Sequence, residues 1–159
     1  MITSTASTGY SGTPLAQKLG LKDGQRVLFI SLPKDLKNLR KARNFVEVAE
    51  AGWETFTDGD GLRKSRDADA PRRQGYDVIH GFTASRAELQ KAAKPLMEQI
   101  DRDGSIWISW PKKASKVTTD ITEDVIRDVV LPIGLVDVKV AAVNDIWSGL
   151  KLVIRKELR

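Results

Sequence analysis

The stretch Ser105-Ile-Trp-Ile-Ser-Trp-Pro-Lys-Lys-Ala-Ser-Lys116 decides how the chain is expected to fold. Its first half, from Ile106 to Trp110, is apolar at every position except Ser109. Such a run is typical of a strand buried on both faces, in the middle of a parallel sheet that helices cover. Pro111 is expected to end the strand, because proline has no N–H for the ladder. The sequence therefore predicts a central strand that leads directly into a basic loop.

The basic loop is a candidate ligand site, because ligands of open α/β sheets bind at the carboxyl ends of parallel strands. Cations beside indoles, near a helix N-terminus at Thr122, suit a phosphate or carboxylate attached to a flat group. The residues predicted to bind it come from the central strand, the basic loop and the tip of the last hairpin: Trp110, Lys112, Lys113, Ser115, Lys116, Asp145 and Trp147. An alternative stays open, in which the tryptophans cover the core and the lysines pair with surface carboxylates.

Composition indicates a single soluble domain: the 159 residues are 41% hydrophobic and 30% charged. Residues 1–9 are small and polar and are expected to be disordered, so the α/β domain is predicted to span 10–159. A mobile loop is predicted near 58–75, where mixed charges leave almost nothing to bury. The chain has no secretory signal pattern and no apolar run near the roughly 18 residues that span a bilayer, so a cytoplasmic location away from membranes is expected.

Two residue counts exclude several kinds of chemistry. The chain has no cysteine, which excludes disulfides, thiol catalysis and cysteine-ligated metals. Its single histidine, His80, lies in the apolar run 76–82, where a structural role on a strand is expected. A catalytic Ser-His-Asp triad and a metal site are therefore not predicted.

The order of periodic segments predicts a three-layer, doubly wound, mostly parallel sheet with an antiparallel C-terminal hairpin strand. Helices are predicted at 14–19, at 35–51, after the capping box of Ser85 and Glu88, and after Thr119 or Thr122. Strands are predicted at 26–32, 53–57, 76–82, 106–110, 136–143 and 147–154.

This layout resembles the Rossmann-like class I S-adenosylmethionine-dependent methyltransferases, whose sheet also ends with a reversed strand. Leu19-Gly-Leu-Lys-Asp-Gly-Gln-Arg-Val-Leu-Phe-Ile30 looks like the helix-turn-strand start of that fold. The resemblance implies a glycine-rich loop after the first strand, but Ser31-Leu-Pro-Lys-Asp-Leu36 contains no glycine. It also implies an acidic residue after the second strand, for which Asp58 and Asp60 are both candidates. Because the loop departs from the pattern, no cofactor is expected.

A second resemblance is to a small, uncharacterised bacterial family catalogued as a domain of unknown function. The similar segments are Tyr10-Ser-Gly-Thr-Pro-Leu-Ala16, Trp110-Pro-Lys-Lys-Ala-Ser-Lys116, the residues from Thr122-Glu-Asp-Val125 onward, and Trp147-Ser-Gly-Leu-Lys151. This resemblance implies the fold rather than an activity, since the family has no assigned reaction.

Three functions are compatible with these patterns. The expected one is a non-enzymatic module that binds an anionic small molecule or a protein partner at the carboxyl rim of the sheet. The first alternative is a divergent methyltransferase that uses S-adenosylmethionine. The second is a nucleic-acid accessory protein that uses Lys37, Arg40, Lys41 and Arg43 together with the Lys112 loop. A net charge of +5 falls short of the dense basic face of a dedicated nucleic-acid binder, which disfavours the second alternative.

Overall fold

A computed structural model describes residues 14–58 and 75–159. Within these residues, six strands form one sheet: β1 (Arg26–Ile30), β2 (Glu47–Ala51), β3 (Tyr76–Phe82), β4 (Ile100–Pro111), β5 (Leu135–Ala142) and β6 (Trp147–Ile154). Their order is β2-β1-β3-β4-β6-β5. The first four strands are parallel, and β6 lies antiparallel between β4 and β5. The predicted fold class, a mostly parallel sheet with an antiparallel C-terminal hairpin, is confirmed.

Among the described residues, four α-helices and several short 3-10 helices connect the strands. The α-helices are α1 (Leu15–Lys18), α2 (Trp53–Thr57), α3 (Arg86–Gln99) and α4 (Glu123–Val130). The 3-10 helices span Lys34–Lys41, Lys113–Ser115, Leu131–Ile133 and Lys156–Leu158. The caps predicted at Ser85 and Thr122 are present, since these side chains accept from the amides of Glu88 and Val125, each at 3.2 Å. In the part of the chain that is described, no helix has both the length and the apolar character that crossing a membrane requires.

The sheet has a different cover on each face. Buried residues of α2, α3 and α4 pack on one face, here called the α3 face, against side chains such as Leu28 and Ile108. Buried residues of α1 and of the 3-10 helix Lys34–Lys41 pack on the other, here called the α1 face, against side chains such as Phe29 and Trp107. Strand residues alternate between the two faces, as the period of two requires.

The central strand has the predicted character. Ile106, Trp107, Ile108, Ser109 and Trp110 are all buried, and β4 ends at Pro111. Neighbouring strands pair on both sides, β3 in parallel and β6 antiparallel.

Two predicted elements are wrong. The helix predicted at 35–51 is a 3-10 helix that ends at Lys41, and Glu47–Ala51 forms β2. Glutamate and alanine favour helices, but pairing with β1 overrides that weak preference. The strand predicted at 53–57 is α2, in which Trp53 and Phe56, three residues apart, lie on the same buried side. The predictions for residues 1–9, and nearly all of the predicted loop near 58–75, fall outside the described residues.

Candidate functional site

The carboxyl edge of the sheet brings together loops that are distant in sequence. Strands β1 to β4 all end there, and β5 runs parallel to them, so the β5–β6 tip lies at the same edge. Hydrogen bonds join the tip to two neighbouring loops: the Lys112 amide donates to the Ile146 carbonyl at 2.6 Å, and the Asn144 side chain donates to Asp35 at 3.3 Å. The edge therefore forms a continuous surface from the turn after β1 to the hairpin.

The basic loop after β4 forms several hydrogen bonds within itself. The Lys112 carbonyl accepts from both the amide and the hydroxyl of Ser115, at 3.0 and 2.7 Å. The Ser115 hydroxyl also accepts from the Val117 amide at 3.2 Å. Lys113 and Lys116 are exposed, and Lys116 adopts the left-handed conformation with φ of 63°. Ser115 thus shapes the loop, while the two lysines extend its positive charge to solvent.

The two tryptophans of the predicted site lie on opposite faces of the sheet. Trp110 is buried in the core of the α3 face. Trp147 is half-buried on the α1 face, where its ring packs edge-on against Phe82 with centroids 5.2 Å apart. Asp145 is exposed at the hairpin tip. The structure therefore gathers the lysines and Asp145 at one edge but separates the indoles.

The crevice between β1 and β3 is the point where the strand order reverses. Ser31, directly after β1, is exposed and has φ of 56°, a conformation that glycine adopts far more readily. The indole of Trp53 crosses from the end of β2 to the end of β3, where its Nε1 donates to the Phe82 carbonyl at 2.8 Å. A Cβ on Gly81 would lie 2.5 Å from the indole, so only glycine allows this approach. Trp53 therefore fills the space beside the reversal point on the α3 face.

A cleft of about 250 Å³ lies next to this indole, between α2 and the first turns of α3. Its lining combines carboxylates, hydroxyls, one ammonium group and apolar surface: Trp53, Glu54, Thr57, Ser85, Ala87, Glu88 and Lys91. Glu88 is held by the Thr83 hydroxyl, which donates to its carboxylate at 2.6 Å. Glu54, which also lines the cleft, is exposed. Since α2 follows β2 and α3 follows β3, the cleft belongs to the carboxyl edge.

In the described part of the chain, the acidic residues near the end of β2 include Glu50 and Glu54, which the sequence did not suggest. Asp58 follows α2 as an exposed C-cap residue, and Asp60 lies outside the described residues. Glu50, within β2, forms ion pairs with Lys37 and with Arg40. Glu54 is the acidic residue that borders the cleft. The sequence pattern does not point to Glu54, because it predicts a strand at 53–57 where the structure has α2.

His80 has the structural environment that the sequence suggested. Its ring is buried on the α1 face, stacks on Phe82 at 4.2 Å, and shares a 2.7 Å hydrogen bond between Nε2 and the Ser109 hydroxyl. Burial lowers the pKa of His80 to about 3, so the ring is neutral at pH 7. Among the described residues, no three His, Asp or Glu side chains are grouped so that they could hold a metal ion.

Comparisons with known proteins support the fold. No protein-family model matches the chain, and no curated protein matches its sequence. Solved structures do align with it. A SAM-dependent methyltransferase from Aquifex aeolicus aligns at a TM-score of 0.61 and 15% identity, over 96% of this chain and 94% of its own. An S-adenosylmethionine-dependent methyltransferase from Clostridium acetobutylicum aligns at a TM-score of 0.56 and 10% identity, over 88% of this chain and 87% of its own. The ribosomal protein L11 methylase from Lactobacillus delbrueckii subsp. bulgaricus aligns at a TM-score of 0.55 and 12% identity, over 84% of this chain and 71% of its own.

These alignments correct one expectation and leave another open. The expectation that the protein has no cofactor is contradicted, because solved structures that share its fold over most of its length are S-adenosylmethionine-dependent enzymes. The methyltransferase-like layout is supported at the level of the fold. The resemblance to the bacterial family of unknown function stays a prediction, since no family model matches.

Proposed function

We propose that the protein is a divergent S-adenosylmethionine-dependent methyltransferase that holds its cofactor in the cleft between α2 and α3. The observation that carries the proposal is the position of this cleft, at the carboxyl ends of β2 and β3 in a methyltransferase-like sheet. Open α/β sheets bind their ligands at this edge. When bound, S-adenosylmethionine supplies an electrophilic methyl group.

The groups that line the cleft suit a nucleoside. The Glu54 carboxylate is an acceptor for ribose hydroxyls, and the Ser85 hydroxyl, which accepts from the Glu88 amide, still has a proton to donate. Trp53 and Ala87 provide apolar surface. A cleft of about 250 Å³ approaches the range of small-molecule pockets, about 300–1,000 Å³. The donor and acceptor set therefore fits the adenosine part of the cofactor.

The turn after β1 does not fit the close backbone approach that a glycine-rich loop allows. It carries Ser31, the buried Leu32 and Pro33, and the indole of Trp53 occupies the adjacent space over Gly81. Our proposal therefore puts the nucleoside on the outer side of Trp53, against Glu54, rather than over this turn.

The basic loop is our candidate for recognition of the methyl acceptor. Because β3 and β4 are neighbours, the cleft and the loop lie side by side on the carboxyl edge. Lys112, Lys113 and Lys116, with Asp145 at the hairpin tip, suit a phosphate- or carboxylate-bearing substrate. Trp110 and Trp147 support this rim from opposite faces of the sheet.

The cofactor site is tested by calorimetric titration of S-adenosylmethionine and its demethylated product. We expect saturable binding to the wild-type protein, and Glu54→Gln should weaken it by about 1.5–3 kcal/mol, the value of hydrogen bonds to a charged group. Glu98→Gln is the matched control, because Glu98 is an exposed carboxylate in the last turn of α3. Absence of binding to the wild-type protein would refute the proposal, and equal losses in the two variants would refute the role of Glu54.

The rim is tested separately with the double variant Lys112→Ala, Lys113→Ala. We expect the fold and S-adenosylmethionine binding to be retained. Affinity for a panel of nucleotides and sugar phosphates should fall by about 1–3 kcal/mol per lysine that contacts the anion. If the wild-type protein binds no member of the panel, the rim does not recognise a phosphate-bearing substrate.

A further inference from the structure

Three lysines place positive charge near one another on the α1 face of the sheet, away from the carboxyl edge. Lys139 of β5 and Lys151 of β6 are register partners on neighbouring strands. Lys151 is also the register partner of Trp107 in the middle of β4. Lys22 follows α1, and its charge acts on Lys151 together with that of Lys139. Lys22, Lys139 and Lys151 are called the lysine cluster below.

The positive charges of the lysine cluster repel one another. Burial lowers the pKa of Lys151 below its ordinary value, and the charges of Lys139 and Lys22 lower this pKa further. The acidic residues beside them in the sequence have other partners: Asp23 accepts from the Asn44 amide at 2.8 Å, and Asp137 accepts from Arg127 at 3.0 Å. Like charges directly opposite each other on adjacent strands destabilise a sheet. A bound anion would remove this repulsion.

Trp107 gives the cluster an apolar floor and a fixed geometry. Its indole is fully buried, and the Lys139 ammonium lies 6.0 Å from the ring centroid. The indole N–H donates to the Leu19 carbonyl at 3.0 Å, which ties the end of α1, three residues before Lys22, to β4. An apolar floor lowers the local dielectric constant, and charge attraction is stronger there than in open water.

We propose that the lysine cluster binds a phosphate group. Ammonium groups are donors only, and a phosphate has enough charge and acceptor oxygens to bind several of them at once. Such a phosphate has two sources, a free phosphate-bearing small molecule or the backbone of an RNA strand. This site is independent of the proposed cofactor cleft, because the cluster lies on the opposite face of the sheet, halfway along β5 and β6 at the other end of the strand order.

The first experiment compares melting temperatures in inorganic phosphate and in chloride at equal ionic strength. Every protein carries Lys112→Ala and Lys113→Ala, which removes two cations of the rim. We expect phosphate to raise the melting temperature of this parent by a few degrees, as a ligand of the folded state does. Adding Lys139→Met and Lys151→Met should abolish this shift, and the melting temperature in chloride should stay equal or rise, because the repulsion is gone. The matched control adds Lys94→Met and Lys156→Met, two exposed lysines elsewhere.

The site is supported if phosphate still raises the melting temperature of the control but not that of the Lys139→Met, Lys151→Met protein. The site is overturned if phosphate raises the melting temperature of all three proteins equally, or does not raise that of the parent. Fluorescence anisotropy with a short single-stranded RNA, and calorimetry with a nucleoside triphosphate, then distinguish the two sources. A loss of about tenfold or more in affinity for one probe, seen only in the Lys139→Met, Lys151→Met protein, identifies the source. Equal affinities of all three proteins for both probes would contradict the proposal.

Discussion

The two faces of the sheet differ in what lines their middle. Aliphatic side chains line the α3 face, including Leu28, Ile79 and Ile106, beneath the long helix α3. On the α1 face the corresponding positions hold Phe29, His80 and Trp107, beneath the four-residue helix α1 and a 3-10 helix. Where the covering helices are short, large rings fill the space between the sheet and its cover. In the middle of the sheet, packing on the α1 face therefore depends on a few rings, whereas on the α3 face it is distributed over aliphatic side chains. The rings of Trp53 and Trp110 on the α3 face lie closer to the carboxyl edge.

The largest expected effect of a single change is at Trp107. Trp107→Ala should cost about 3–5 kcal/mol of unfolding free energy, because it leaves a large cavity and removes the donor to the Leu19 carbonyl. On the α3 face, Ile106→Val should cost only about 0.5–1.5 kcal/mol. Chemical denaturation of both variants measures the contrast. A Trp107→Ala protein within about 1 kcal/mol of wild type would show that α1 collapses onto the sheet and that the faces do not differ in this way.

The next effect is the pH dependence that His80 gives to stability. Since burial lowers its pKa to about 3, from the ordinary value of 6.5, the unfolded chain binds a proton at His80 more readily than the folded chain. The stability that depends on a neutral His80 ring is therefore fully present above pH 6.5 and is lost as the pH falls toward 3. Between pH 7 and pH 4.5 the loss should be roughly 2.5 kcal/mol.

His80→Gln should remove this slope, because glutamine does not titrate, and no other histidine is present in the chain. Denaturation at pH 7 and at pH 4.5 in both proteins isolates the contribution. An identical pH dependence in the variant would show that the ring is hydrated in solution rather than buried beside Ser109.

An element of the fold could be predicted wherever its own residues form a recognisable local pattern. The apolar runs of β1, β3 and β4 and the caps at Ser85 and Thr122 are local features, and all are present in the structure. The strand β2 could not be recognised, because Glu47–Ala51 is composed of half-buried residues, mostly helix formers, and depends on pairing with β1. The sequence indicated the right architecture and assigned its outer strand to the wrong residues.

The candidate sites, too, could be predicted only where one segment contains all the residues concerned. The basic loop was predictable, because a proline and three lysines follow the most apolar strand directly. The cleft was not predictable, because Glu54 and Ser85 come from separate helices and α2 is only five residues long. The lysine cluster depends on the cross-strand register of Lys139 and Lys151, next to an irregularity in β5. A shift of one residue would move a side chain to the other face, and no pattern in the sequence fixes that register.

The cofactor cleft is tested most directly by a crystal structure of the protein with the demethylated product of S-adenosylmethionine. We expect the ribose to lie within hydrogen-bond distance of the Glu54 carboxylate, between α2 and α3. We also expect the Trp53 indole to keep its hydrogen bond to the Phe82 carbonyl. A nucleoside bound over Ser31 at the end of β1, with the indole displaced from Gly81, would contradict the proposed cofactor site.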